Sequence, residues 1–242
     1  EQLFNKLTRT IVVRIDNKFS SLYKKEYFTD RTGNDIERQK SFDKEKKFIN
    51  RYVSTKGSVL DVGCSTGEFL KYIGWSGLKY GIEISKFASE KAVQNGIDIV
   101  DTYDIKNSLD AVIYRGTIQH LDSPFRSLAK AAEALKTGGY IFFIATPNIN
   151  STYYKMFNTL PALDCNRNLY LPSDQSLINL GGIFNLEFAG IEYPYFDSPY
   201  SKPVVDHFKF LCKLLLAPLG INGVVGNFAF HGSMMNIALK KI

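Results

Sequence analysis

From residue 58 onward, short apolar runs alternate with amphipathic stretches at a steady pitch. Apolar runs fall at 58–62, 80–84, 97–100, 109–113, 140–145, 184–195 and 234–240. Between them, helical patterns run through Tyr72, from Ser85 to Asn95, from Pro124 to Leu135, and from Ser173 to Leu180. A further helical pattern covers Val204 to Leu216. Ser85 is a candidate N-cap, and Ser123-Pro124 starts the helix to Leu135 with Pro124 at a first-turn position. Strands that are apolar throughout, each followed by a helix, predict a parallel sheet covered on both faces. The fold class is therefore α/β: a doubly wound, mostly parallel seven-stranded sheet.

The first 57 residues have a different texture. They read mainly as helix, broken near Asp30–Asp35, with Phe42, Phe48, Ile49, Tyr52 and Val53 forming an apolar stripe among charges. The chain is thus expected to divide into a basic, mainly helical extension at 1–57 and a second unit at 58–242. Irregular insertions are expected near 149–172 and 197–230. The net charge of +6 lies entirely in the extension, which holds 14 Lys/Arg against 8 Asp/Glu, whereas 58–242 holds 16 of each. Such asymmetry marks either a solvated helical face or a surface for an anionic partner. No uncharged apolar window reaches the roughly 18 residues that a spanning helix needs, and no secretory leader opens the chain. The chain starts at Glu1 rather than Met, which reads as a fragment or a processed product. Three cysteines (Cys64, Cys165 and Cys212) without metal-ligand spacing exclude a disulfide scaffold and a zinc site, and suggest a reducing, cytoplasmic setting.

The chemistry concentrates at the first strand. Asp61 near its end, the turn Gly63-Cys64-Ser65-Thr66-Gly67, and Glu83 22 residues after Asp61 form a nucleotide-cofactor constellation. Glycines let the backbone approach a ligand, and an acid ending the second strand can accept ribose hydroxyls. A dinucleotide site would require glycine where Ser65 and Glu68 stand. Glu68 would also bring a carboxylate to the helix N-terminus that pyrophosphate needs. A cationic cofactor suits these acids better than a dinucleotide does.

Four segments then carry a resemblance. Residues 59–70, Gly81-Ile82-Glu83-Ile84-Ser85, the stretch 109–121, and 135–139 with 145–148 resemble, in order, the motifs of class I S-adenosylmethionine-dependent methyltransferases. Asn168–Ser173 before a helix, Gly181–Phe184 and Phe230–Met235 are similar to the small-molecule enzymes of quinone and surface-polysaccharide pathways within that family. The resemblance implies S-adenosylmethionine as cofactor. It places the backbone of Gly63, Cys64, Ser65 and Gly67 along the methionine moiety, with Asp61 nearby. Glu83 would lie on the ribose and Ile84 against adenine. Tyr103 or Asp104 would face the adenine amine, and Tyr114 and Arg115 would border the reaction centre. Ser65 departs from the family, which usually has glycine there.

His120 follows the fourth strand and is the candidate base, since imidazole takes a hydroxyl proton near neutral pH; a structural histidine is the competing reading. His207 and His231 are weaker candidates, and Cys64 reads as a small buried filler rather than a nucleophile. Tyr114-Arg115-Gly116-Thr117 lacks the signatures of adenine-N and cytosine-C5 enzymes, which disfavours nucleic acid as acceptor. The expected acceptor is a small molecule or a sugar, such as an anionic nucleotide sugar or glycan, methylated on oxygen. A nucleic-acid or protein methyltransferase and a non-catalytic cofactor-binding module are the alternatives. The apolar side of the 204–216 helix could cap the acceptor pocket, rest on the core, or touch a membrane peripherally.

Overall fold

The computed structural model describes residues 11–12, 35–103, 105, 107–160, 167–195, 201–221 and 225–242. Most of the basic N-terminal segment and Asp104 therefore lie outside the described residues. Strand β1 (Ile11–Val12) pairs antiparallel with β7 (Tyr170–Leu171), a two-stranded ribbon that neither segment's sequence suggested. Helix α1 (Asp35–Ile49) follows. Its stripe buries Phe42, Phe48 and Ile49 in one cluster with Val59, Phe69 and Phe142 of the central sheet and its first helix.

The central sheet has seven strands in the order β4-β3-β2-β5-β6-β9-β8. They are β2 (Val59–Val62), β3 (Lys79–Ile82), β4 (Asp98–Ile99), β5 (Leu109–Arg115), β6 (Leu135–Pro147), β8 (Leu186–Glu192) and β9 (Met234–Lys241). Strands β4, β3, β2, β5 and β6 run parallel, and β9 enters antiparallel to both β6 and β8. Helices α2 (Glu68–Tyr72), α3 (Lys86–Gln94) and α4 (Pro124–Ala134) connect the parallel strands. The expected doubly wound, mostly parallel sheet is the one observed, with β2 and the Ala111–Tyr114 stretch of β5 buried at its centre because both faces are covered.

Two local readings change. Helix α4 stops at Ala134, and Leu135 is already extended, pairing with Leu109. Residues 136–139, with Gly138 at φ +82°, therefore belong to the start of β6 rather than to a helix end. The stretch 149–172, read as irregular, contains helix α5 (Thr152–Phe157), whose N-terminus is capped by Ser151 Oγ accepting from the Tyr154 N–H.

Helix α6 (Asp174–Ile183) opens with a capping box in which Ser173 and Ser176 exchange side-chain-to-backbone hydrogen bonds. Helix α7 (Pro203–Leu216) lies over α5 and the loop before β9, where the Phe210 and Phe230 rings stack at 4.3 Å. Among the described residues, no helix is long and apolar enough to cross a membrane.

Candidate active site

Because β2, β3, β5 and β6 are parallel, the segments leaving their carboxyl ends gather on one edge of the sheet, where ligands of open α/β sheets bind. A cleft of about 250 Å³ opens there, lined by the turns after β2, β3 and β5 and by residues from α1.

The turn after β2 is shaped by positive φ. Gly63 and Gly67 both lie at φ +75° and Ser65 at +52°. A Cβ on Gly63 would come within 2.6 Å of the Thr117 side chain, and one on Gly67 within 2.7 Å of Ile97. Gly63 thus lets the turn after β5 close over the cleft, while Gly67 serves packing and does not line it. Ser65 holds a left-handed seat at some steric cost. Its N–H donates to Glu83 Oε2 at 3.0 Å, and the Ser85 N–H donates to Glu83 Oε1 at 2.8 Å. Glu83 therefore ties the turns after β2 and β3 together before it meets any ligand. Burial raises its pKa, with the N–H groups of Ser85 and Ser65 pulling the other way. Ile84, two-thirds exposed, forms an apolar rim beside it.

Asp61 is buried, and its Oδ1 has no hydrogen-bond partner. Burial lifts its pKa to about 7, opposed by the positive charge of Arg115 and reinforced by Glu83 and Glu45. An acceptor atom left unsatisfied in a cleft wall calls for a donor, best a cationic one. The donor set thus fits a ligand that brings an ammonium group to Asp61 and hydroxyls to Glu83. Cys64 is buried, and its Sγ would lie 2.5 Å from a Cβ on Gly81, so it fills the space above that glycine. Burial pushes its thiol pKa far up, first of all, with the Asp61 and Glu83 charges adding; it is no nucleophile.

Arg115, at the end of β5, is gripped by α1. Its Nε donates to Glu45 Oε2 at 2.6 Å and its Nη2 to Glu45 Oε1 at 3.1 Å, a two-pronged pair. The guanidinium also sits 4.5 Å above the Phe42 ring centroid. Arg38, again from α1, lines the cleft and pairs with Glu68 at 3.1 Å. The sequence reading missed Arg38 and Glu45. A signal existed for Glu45: it shares a helical face with Phe42, Phe48 and Ile49, and a carboxylate on an apolar face needs a buried partner.

Tyr114 is a correction. It is wholly buried on the opposite side of the sheet, stacked on Phe143 at 5.5 Å with its hydroxyl 2.9 Å from Ser127 Oγ. Successive strand residues face opposite ways, so Tyr114 and Arg115 cannot both border the cleft. The Tyr103 hydroxyl also bonds Ser127 and does not line the cleft.

His120 does line the cleft, at the end of a single turn of 3-10 helix (Ile118–His120). Its Nδ1–H points at the Arg167 carbonyl, 2.8 Å away, which leaves the lone pair on Nε2. The Gln119 amide reaches Nε2 at 3.3 Å. Close by in the chain, Gln119 Oε1 and both polar atoms of Asn168 are buried without partners. His207 and His231 lie elsewhere, their rings 5.5 Å apart in the aromatic cluster under α7. Among the described residues, no group of side chains could hold a metal ion.

If a cationic ligand sits on Asp61, its affinity should depend on pH. A folded pKa near 7 means that the ionised form is disfavoured below that value, so ammonium binding must expel a proton there. The affinity for an amine-bearing cofactor is expected to fall about tenfold between about pH 8 and pH 6, and Asp61→Asn should flatten the profile. Titration calorimetry in buffers of different ionisation enthalpy would also register the proton released.

No curated protein matches the chain in sequence. Among solved structures, an S-adenosylmethionine-dependent methyltransferase from Thermotoga maritima, described as a possible histamine N-methyltransferase, superposes with a TM-score of 0.63 at 17% identity. The match covers 90% of this chain and 97% of that one. Magnesium protoporphyrin IX methyltransferase from Synechocystis, with bound S-adenosylhomocysteine, gives 0.54 at 13% identity over 86% of this chain and 84% of that one. Geranyl diphosphate C-methyltransferase from Streptomyces coelicolor gives 0.56 at 14% identity, over 83% and 77%. Identities this low carry the fold and leave the acceptor open. The sequence pattern of the methyltransferase domain matches residues 35–188, which include the cleft-lining turns and helix α1. By that match, which takes in well over half of its length, the chain belongs to the methyltransferase domain family.

Proposed function

We propose that the protein transfers a methyl group from S-adenosylmethionine, the family's cofactor, to a hydroxyl oxygen of a small molecule or sugar. The observation that carries this reading is that acids suited to a cationic nucleoside and an imidazole with a fixed tautomer line one cleft.

Asp61 would receive the ammonium group, Glu83 the ribose hydroxyls, and Ile84 one face of the adenine. When bound, the cofactor supplies an electrophilic methyl group on a sulfonium. His120 Nε2 would take the proton of the attacking hydroxyl as the new C–O bond forms and the C–S bond breaks. The 3.3 Å approach of the Gln119 amide to that nitrogen is long enough to yield to a substrate hydroxyl. Positioning contributes most of the remaining acceleration, because methyl transfer is an in-line displacement.

A small acceptor is favoured because the cleft holds only about 250 Å³ and both of its arginines are already neutralised, by Glu45 and Glu68. A polyanion would find little free positive charge there. Methyl transfer from labelled S-adenosylmethionine to panels of sugars, nucleotide sugars, phenols and RNA tests the reading. Label on a hydroxyl of a small acceptor supports it, and label only on RNA or protein overturns it. Glu83→Ala should weaken S-adenosylhomocysteine binding by about 1.5–3 kcal/mol through the lost charged acceptor. Calorimetry showing wild-type affinity in that variant would remove Glu83 from the site.

A further inference from the structure

Helix α7 is built inside out. Its buried side carries its charges: Asp206 accepts from the Lys202 N–H at 2.6 Å and from the Tyr195 hydroxyl at 3.3 Å. Lys213 donates to the Tyr153 hydroxyl at 3.1 Å and lies over the Tyr153 and Phe157 rings. Asp206, Phe210 and Lys213, spaced i, i+4, i+7, form the stripe held against the protein. That anchoring turns the complementary stripe of Val204, Phe208, Leu211 and Leu215 outward, and these four are between 52% and 85% exposed. Such a row is unusual on a water-facing surface, where large apolar patches mark interaction sites.

The charges around the row identify the occupant. Between residues 201 and 221, Asp206 is the sole acid, and it is buried. Lys202 is exposed and Lys209 half-exposed. Exposed Lys155 and Met156 extend the same combination onto α5, which packs against α7 through the 5.5 Å contact of Phe157 with Phe210. An apolar stripe whose exposed charges, among the described residues of α7 and α5, are all cationic matches an anionic lipid surface. A second copy of this chain matches poorly. A two-fold interface would set the same cations around the same apolar row on both sides, with no exposed acid from this segment between them.

We propose that α7 is a peripheral docking helix that lies in the headgroup region of an anionic membrane. Phe208, Leu211 and Leu215 enter the acyl boundary, while Lys202 and Lys209 meet lipid phosphates. The helix packs on the loop before β9 through the Phe210–Phe230 stack, and the Ser233 carbonyl of that loop accepts from the Asn148 N–H just after β6. Residue 148 leaves the carboxyl end of β6, so the loop under α7 lies at the same end of the sheet as the cleft.

Flotation of the purified full chain with vesicles tests this. Phosphatidylcholine containing phosphatidylglycerol should carry the protein to the top, phosphatidylcholine alone should carry much less, and added salt should weaken the capture. The triple variant Phe208→Ser, Leu211→Ser, Leu215→Ser should lose at least about tenfold in partitioning. Its circular dichroism and its S-adenosylhomocysteine binding should be unchanged, since these side chains face solvent. Lys202→Glu with Lys209→Glu should abolish the preference for anionic vesicles. Absence of vesicle capture overturns the proposal, as does wild-type capture by the triple variant. A dimer in light scattering that the triple variant abolishes, without vesicle binding, would assign the face to a second copy instead.

Discussion

Replacing His120 by alanine is expected to lower methyl-transfer turnover by about 10²–10⁴-fold while cofactor affinity stays near wild type. The size follows from the proton that must leave the acceptor hydroxyl. Without a nearby base it has to pass to water as the C–O bond forms. The Nδ1–H bond to the Arg167 carbonyl holds the ring in the tautomer whose Nε2 can accept that proton. His120→Gln can keep part of the hydrogen bonding but cannot act as a base, so it should be nearly as slow as alanine. With the cofactor saturating, so that the Asp61 dependence of its binding drops out, the pH–rate profile should also lose its acidic limb in both variants. If thermal stability and activity fall together, His120 only holds the 167–169 segment in place. Full activity in a well-folded variant would end the assignment.

Arg115→Ala should be the most damaging single change to stability, at about 3–5 kcal/mol in denaturant titrations. The Glu45 side chain is only 4% exposed, and Arg115 holds both of its carboxylate oxygens. Removing the arginine leaves a buried anion facing apolar rings, and it also strips the cation–π contacts above Phe42 and Phe69. Pairing the change with Glu45→Leu should recover a good part of the loss, because a buried ion pair is more dispensable than half of one. A second effect reaches the cofactor side. Among the described residues, Arg115 is the charge that lowers the Asp61 pKa, so its loss should shift the pH dependence of cofactor binding upward. Additive single and double effects would show that the two residues are not coupled.

The sheet was legible because its central strands, β2, β5 and β6, are buried on both faces over most of their length and read as apolar runs between helices. The shape of the turn after β2 was legible because positive φ and a paired acid leave local marks in sequence, at Gly63, Gly67 and Glu83, although Gly67 packs against Ile97 and does not line the cleft. Tyr114 was misplaced for an equally local reason. In a central strand both faces are apolar, so alternation, which would have assigned Tyr114 to one side and Arg115 to the other, leaves no pattern to read. The contribution of α1 was hidden by distance, since Glu45 meets a residue 70 positions further on. Helix α7 had a plain apolar stripe, but whether that stripe faced in or out depended on Asp206 and Lys213 finding Tyr195 and Tyr153.

Strand β9 has a consequence for the order in which the molecule assembles. It sits between β6 and β8, yet Tyr140 pairs with Lys240, a partner 100 positions away. Strands β2 to β6 can pair across much shorter separations, so the cofactor half of the sheet has the lower loop-closure cost and is expected to form first. Until residues 234–241 arrive, β6 presents a long, bare edge of Phe142, Phe143 and Ile144. That interval is when the chain is most exposed to edge-to-edge association with another copy. Slow synthesis or crowding by nascent neighbours would then penalise yield far more than the stability of the finished protein suggests.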